Sequence, residues 1–150
     1  MLKILVVDDE QIERNGIRRL IEKFGFDLEV AEAENGEEAL RHLENESVDI
    51  ILTDIKMPFV DGLELAEKAK LANPDVEIII YSAFGEFDYA KRALKTTVAN
   101  FLLKPIVISE FTETMKFVMN KCREKQEKQR LESKWQEGYQ KVLVYEKHNL

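Results

Sequence analysis

Carboxylates, a hydroxyl and an ammonium recur where apolar runs end. Lys3-Ile4-Leu5-Val6-Val7 runs into Asp8-Asp9-Glu10, and Val48-Asp49-Ile50-Ile51-Leu52-Thr53 into Asp54. Val76 to Tyr81 leads to Ser82-Ala83, and Asn100-Phe101-Leu102-Leu103 to Lys104-Pro105. A carboxylate nucleophile beside further carboxylates suits transfer of a phosphoryl group to an aspartate, provided a divalent cation offsets the incoming charge. Mg²⁺ takes oxygen ligands and keeps several waters, so two or three carboxylates and a backbone carbonyl suffice. Asp8, Asp9 and Asp54 supply the carboxylates, and the carbonyl of Lys56 lies within reach. Lys104 can neutralise a phosphoryl oxygen as a mobile point charge, and the Ser82 hydroxyl can donate to another. Asp54 is the expected acceptor.

Taken singly, each residue has an ordinary explanation. Asp9 suits a helix cap, Ser82 a turn, Lys104 a solvated loop charge, and Phe101 a half-buried strand position. Their joint placement is what carries weight, and it depends on the elements. Short apolar runs bounded by polar residues read as strands buried on both faces. Between them, apolar residues recur at helical spacing: Ile12, Gly16/Ile17, Leu20/Ile21 and Phe24, with Asp9 as cap and Gly25 as stop. Asn35-Gly36 opens a helix with Ala39, Leu40 and Leu43 inward, and Leu63, Leu65/Ala66 and Ala69 face inward on a third. Phe84–Lys95 is expected to form a fourth, and a last helix starts at Ser109, its expected N-cap. Leu28–Ala33 alternates as a further strand. Five β-α alternations predict a doubly wound α/β fold with a five-stranded parallel sheet and five helices, the last extended C-terminally. Ligands of such sheets bind at the carboxyl ends of the strands, which is where all the candidate residues fall.

Composition narrows the class. The chain has 150 residues, 45% of them hydrophobic and 34% charged, which is ordinary globular composition. No apolar run approaches a membrane span, and no leader-like segment precedes the first strand, so a cytoplasmic protein is expected. The lone Cys122 agrees with a reducing compartment. Residues 1–108 carry a net −9 and residues 109–150 a net +2, so the acidic first part is a poor nucleic-acid binder. The tail from Lys116 is charged and helix-like, with Met115, Val118 and Cys122 able to pack back. Further on, Leu131, Trp135, Tyr139 and Val142 recur at three- or four-residue spacing. That stripe reads either as incidental apolar residues on a linker or as a face that pairs with a second chain; two heptads fall short of a sustained coiled-coil pattern.

Val7-Asp8-Asp9-Glu10, Thr53-Asp54-Ile55-Lys56-Met57-Pro58, Asp61-Gly62, Ser82-Ala83 and Phe101-Leu102-Leu103-Lys104-Pro105 together resemble the receiver domain of two-component response regulators. The resemblance covers residues 1–120 and implies a flavodoxin-like strand order 2-1-3-4-5. It implies Asp54 as phosphoacceptor for a sensor histidine kinase, Asp9 as a direct Mg²⁺ ligand and Asp8 as a mainly water-mediated one, with the Lys56 carbonyl completing the protein ligands. Ser82, the Ala83 backbone and Lys104 would bind the phosphoryl group. Ser82 and Phe101 would form the switch, and Lys56 and Phe84 would tune its lifetime. The run Tyr81–Lys91 is similar to a narrower group in which the receiver precedes a helical linker and an AraC-type helix-turn-helix domain, so residues 121–150 are expected to lead toward an output domain, transcriptional control being implied by that group alone. A homodimer would use the face of the fourth helix, fifth strand and fifth helix, the C-terminal helix, or both. Two positions depart from the pattern: Thr97 stands where Gly is common, and Phe101 where Tyr is.

Two other readings compete. A Mg²⁺-dependent hydrolase with an aspartyl nucleophile would carry a second Asp two residues after the first, as in the haloacid-dehalogenase pattern, and that position is Lys56. A degenerate receiver acting as a phosphorylation-independent docking module would not need the whole set Asp8, Asp9, Asp54, Ser82 and Lys104. The expected chemistry is therefore that of a switch, with no turnover beyond its own phosphorylation and dephosphorylation.

Overall fold

The computed structural model describes residues 1–83, 85–86 and 99–149, the last seven of these by backbone alone. Five strands are present: β1 (Leu2–Val7), β2 (Leu28–Ala33), β3 (Ile50–Thr53), β4 (Glu77–Ser82) and β5 (Asn100–Leu103). They form one parallel sheet in the order β2-β1-β3-β4-β5. Among the described residues there are four helices: α1 (Gln11–Lys23), α2 (Gly36–Asn45), α3 (Gly62–Ala72) and α4 (Ile108–Asn149). Of the expected helix over Phe84–Lys95 only Gly85 and Glu86 are described, both helical; Phe84, the rest of that segment and Thr97 lie outside the described residues.

Strand side chains alternate between two apolar layers. Ile4, Val6, Ile50, Leu52, Ile79 and Tyr81 pack with Ile17 and Ile21 of α1 and with Phe111, Met115, Val118, Met119 and Cys122 of α4. Leu5, Val7, Ile51, Ile78 and Ile80 pack with Ala39 of α2 and with Leu65, Ala66 and Ala69 of α3. Covering both faces explains why the central strands read as unbroken apolar runs. Among the described side chains of α4 the buried residues stop at Cys122, and Leu131, Trp135, Tyr139 and Val142 are all exposed. The rings of Trp135 and Tyr139 stack on each other, 5.9 Å between centroids.

Helix ends follow local chemistry, with two corrections. Gly25 takes φ 65°, and the bonds Phe26 N–H to Ile21 O and Gly25 N–H to Glu22 O close α1 in a Schellman turn. Asn35 caps α2 by accepting from Glu38 N–H, and Asp61 caps α3 by accepting from Glu64 N–H, each at 2.8 Å. Asp9, however, is not the cap of α1; Glu10 holds that position without a side-chain bond. Nor does Ser109 cap α4, which begins one residue earlier. The inward face of α1 is also rotated from the expected one: Ile12 is 77% exposed and Arg14 is buried with Ile17 and Ile21. Hydrogen-bond partners beneath Arg14 outweigh the apolar preference of Ile12.

Candidate functional site

At the carboxyl edge of the sheet the ends of β1, β3 and β5 bring their polar residues together. Carboxylate oxygens of Asp8, Asp9 and Asp54 all lie within 4.8 Å of one another. Asp8 and Asp54 are buried and Asp9 is exposed, so the cluster has one open side. Lys104, the residue after β5, places Nζ 3.1 Å from Asp54 Oδ2 and 3.4 Å from Asp8 Oδ2. Its ammonium also sits 4.7 Å from the centroid of the Tyr81 ring, a cation–π distance. The Lys104–Pro105 peptide is cis.

Backbone contacts fix Asp54. Its Oδ1 accepts from Ile55 N–H at 2.7 Å, and its carbonyl accepts from the Thr53 hydroxyl at 2.8 Å. Gly62 packs directly behind it: a Cβ built there would lie 2.0 Å from the Asp54 carbonyl oxygen, so no side chain fits without moving the strand end. Asp8 Oδ1 accepts from Glu10 N–H at 2.9 Å, which leaves Oδ2 to Lys104.

Charge is unbalanced in this cluster, with three carboxylates facing one ammonium. Burial pushes the Asp8 carboxyl up to about 6, against the Glu10 N–H bond and the Lys104 charge, which lower it. For Lys104, burial alone would lower the value, but the bond and charge of Asp54, joined by Asp8, hold it above the ordinary lysine range. Burial raises the Tyr81 hydroxyl to about 12, helped by Glu13, to which it donates at 3.1 Å. A set made only of oxygen donors, net negative and open on one side, fits a hard divalent cation such as Mg²⁺ and suits neither a thiolate- nor an imidazole-bound metal.

The remaining expected residues stand nearby in different states. Ser82 is fully buried at the end of β4, and its hydroxyl donates to the Ala83 carbonyl at 3.3 Å. Lys104 N–H bonds Ser82 O at 2.9 Å, tying the ends of β4 and β5. Phe101 pairs with Ile80 in the sheet and packs, half-buried, against the layer shared with α2 and α3. The Lys56 side chain is 80% exposed and its ammonium pairs with Glu86 at 3.3 Å. Two residues near the cluster escaped the sequence reading, Arg14 and Tyr81. Arg14 stood at i, i+3, i+7 spacing with Ile17 and Ile21, a charge on an apolar stripe, and that was the available signal. Tyr81 was hidden as the last member of an apolar run.

The model of the response regulator receiver domain family matches residues 4–116. The uncharacterized transcriptional regulatory protein YesN of Bacillus subtilis is 38% identical over 152 residues, covering 100% of this chain but 38% of YesN. The chain thus spans well under half the length of that relative. Among solved structures, a two component transcriptional regulator AraC from Clostridium phytofermentans superposes with TM-score 0.76 at 30% identity, over 84% of this chain and 98% of that one. The response regulator TrrA from Thermotoga maritima, solved in complex with Mg²⁺-BeF, superposes with TM-score 0.67 at 31% identity, over 79% of this chain and 99% of that one. With the family match spanning most of the chain and the acidic cluster at the expected strand ends, this protein belongs to the response regulator receiver domain family.

Proposed function

We propose that the chain is a phosphorylation-dependent switch in which Asp54 accepts a phosphoryl group from a sensor histidine kinase. One observation carries the reading: the Asp54 carboxylate lies within 4.8 Å of those of Asp8 and Asp9 while Lys104 Nζ sits 3.1 Å away. In the transfer, an Asp54 oxygen forms a bond to phosphorus as the phosphorus–nitrogen bond of a phosphohistidine breaks. The bonding pair stays on the imidazole nitrogen, and Asp54 becomes an acyl phosphate. Asp8, Asp9, Asp54 and the Lys56 carbonyl would hold Mg²⁺, which when bound offsets charge on the transferring group. Lys104 trades its carboxylate partners for a phosphoryl oxygen, and the Ala83 backbone N–H takes another.

Ser82 gives the switch its trigger. Its hydroxyl, satisfied by the Ala83 carbonyl at 3.3 Å, exchanges that long bond for a phosphoryl oxygen. Phe101 then turns into the space vacated and reshapes the face around β5 and the start of α4. Only the difference in contact between the two states drives this shift. Lys56 and Phe84 would set how fast water removes the group. Residues 1–120 form the receiver, and 121–150 a helical linker to an output domain, which the likeness to YesN and the AraC regulator supports as transcriptional. A homodimer through the β5–α4 face, the far part of α4, or both, would relay the signal in the cytoplasm.

The test is incubation with acetyl phosphate and Mg²⁺. Wild type acquires one hydroxylamine-labile phosphoryl group, and Asp54→Asn acquires none while keeping its far-UV circular dichroism. Labelling retained in Asp54→Asn overturns the assignment; an unlabelled wild type favours a docking module.

A further inference from the structure

Among the described residues, Arg14 is the only basic side chain buried in the core. Desolvating a guanidinium is costly unless its donors are well used, and an apolar residue would fill this stripe of α1 at less cost. The donors are used on two targets. Nη1 donates to the carbonyl oxygen of Asp8 at 2.7 Å, and Nε donates to Glu32 Oε1 at 3.2 Å. Glu32 is itself held from its other oxygen by Arg18 Nη2 at 2.7 Å. On the opposite side, Asp8 N–H donates to Ala33 O at 3.2 Å.

The backbone of Asp8 is therefore gripped twice, by β2 through its N–H and by α1 through its carbonyl. That carbonyl belongs to the peptide joining Asp8 to Asp9, so its plane sets the directions in which the two carboxylates leave the chain. We propose that Arg14, oriented by Glu32, is a positioning residue of the acidic site: it locks the Asp8–Asp9 peptide so that both carboxylates face one divalent cation. The inference rests on the cation site proposed above. Charge and geometry make opposite demands here. As a charge, Arg14 repels a divalent cation, and its removal would tighten binding. As a lock, its removal loosens the ligands and weakens binding.

Calorimetric titration of the 150-residue chain with Mg²⁺ at fixed ionic strength and neutral pH separates these signs. Arg14→Met keeps the apolar stem and deletes the fork. It is expected to weaken Mg²⁺ binding about tenfold, the usual scale for losing a partner that orients metal ligands. Arg14→Lys keeps the charge and one donor but cannot also bridge to Glu32, and falls between wild type and Arg14→Met. Glu32→Gln leaves Arg14 in place with a weaker orienting partner and gives a smaller loss in the same direction. Unchanged or tighter binding in folded Arg14→Met overturns the proposal, as does a fall in thermal midpoint with unchanged affinity. If Arg14→Met does not fold, Glu32→Gln decides, and wild-type affinity there overturns it equally. A wild type that binds no Mg²⁺ overturns the cation site itself, and this shows before any variant is compared.

Discussion

The two edges of the sheet each hold a carboxylate system met by lysines, yet they are built in opposite proportion. At the carboxyl edge, Asp8, Asp9 and Asp54 cluster around one ammonium, Lys104. At the amino edge, one carboxylate, Glu77, receives two, Lys125 at 2.6 Å and Lys121 at 3.4 Å. Lys125 also donates to Asp75 O at 3.0 Å, and Gln129 reaches Asp75 Oδ2 at 2.7 Å. The amino-edge group is saturated and serves to fasten α4 to the sheet for about two turns past its last buried residue. The carboxyl-edge group is short of positive charge, which suits it to the proposed cation and, with that cation, to the proposed phosphoryl group. What separates a clamp from a site is the unpaired negative charge, not the presence of buried ion pairs.

The sharpest way to break this contrast is to neutralise one carboxylate at each end. Asp54→Asn is expected to abolish phosphoryl labelling, whereas Glu77→Gln leaves the labelling rate within about twofold, since distant sites with no shared partner act independently. A comparable loss in Glu77→Gln, measured with acetyl phosphate, would mean that the ends are coupled through β4. Next in size is Gly62→Ala. With the Asp54 carbonyl 2.0 Å from the new Cβ, the strand end must move, at a cost of about 3 kcal/mol in urea unfolding.

Acidity sharpens the contrast further. Burial raises the Asp8 carboxyl to about 6, so the cation-free folded state holds its proton more tightly than the unfolded chain does. The stability from that proton is present below the ordinary carboxylate value and is lost as pH rises through about 6. Mg²⁺ must displace the same proton, so its affinity falls as pH drops below 6, approaching about tenfold per pH unit. Titration calorimetry from pH 5 to 8 reads this directly, and a flat profile would remove Asp8 from the ligand set. Smaller effects belong to the clamp. Glu77→Gln is expected to cost about 1 kcal/mol, because Lys121 and Lys125 can turn to water, and to speed amide exchange in residues 121–130. Gly138→Ala, where a Cβ meets nothing within 4 Å, should slow exchange in its own turn by an amount matching about 0.5–1 kcal/mol of helix propensity.

The order of elements and the acidic cluster were legible because parallel strands buried on both faces leave apolar runs, four of which end next to a polar candidate residue. Asp54, Lys104 and Ser82 could be placed at one edge from that pattern alone. Arg14 could not, since its burial depends on the carbonyl of Asp8 and the carboxylate of Glu32, partners 6 and 18 residues distant in the chain. The clamp was equally invisible: Lys121, Lys125 and Gln129 belong to the charged, helix-like tail, and only the register of α4 on the sheet brings them to Glu77 and Asp75. Asp9 misled as a cap because α1 starts only at Gln11, and the Asp9 carboxylate lies with those of Asp8 and Asp54 instead.

Fluorine NMR with beryllofluoride tests the unbalanced site most directly, because this phosphoryl mimic needs the acceptor, the cation and the ammonium at once. With Mg²⁺ the wild type is expected to show bound fluorine resonances that vanish when Mg²⁺ is chelated and never form in Asp54→Asn. Bound resonances in Asp54→Asn, or none in a folded wild type, would contradict Asp54 as the acceptor.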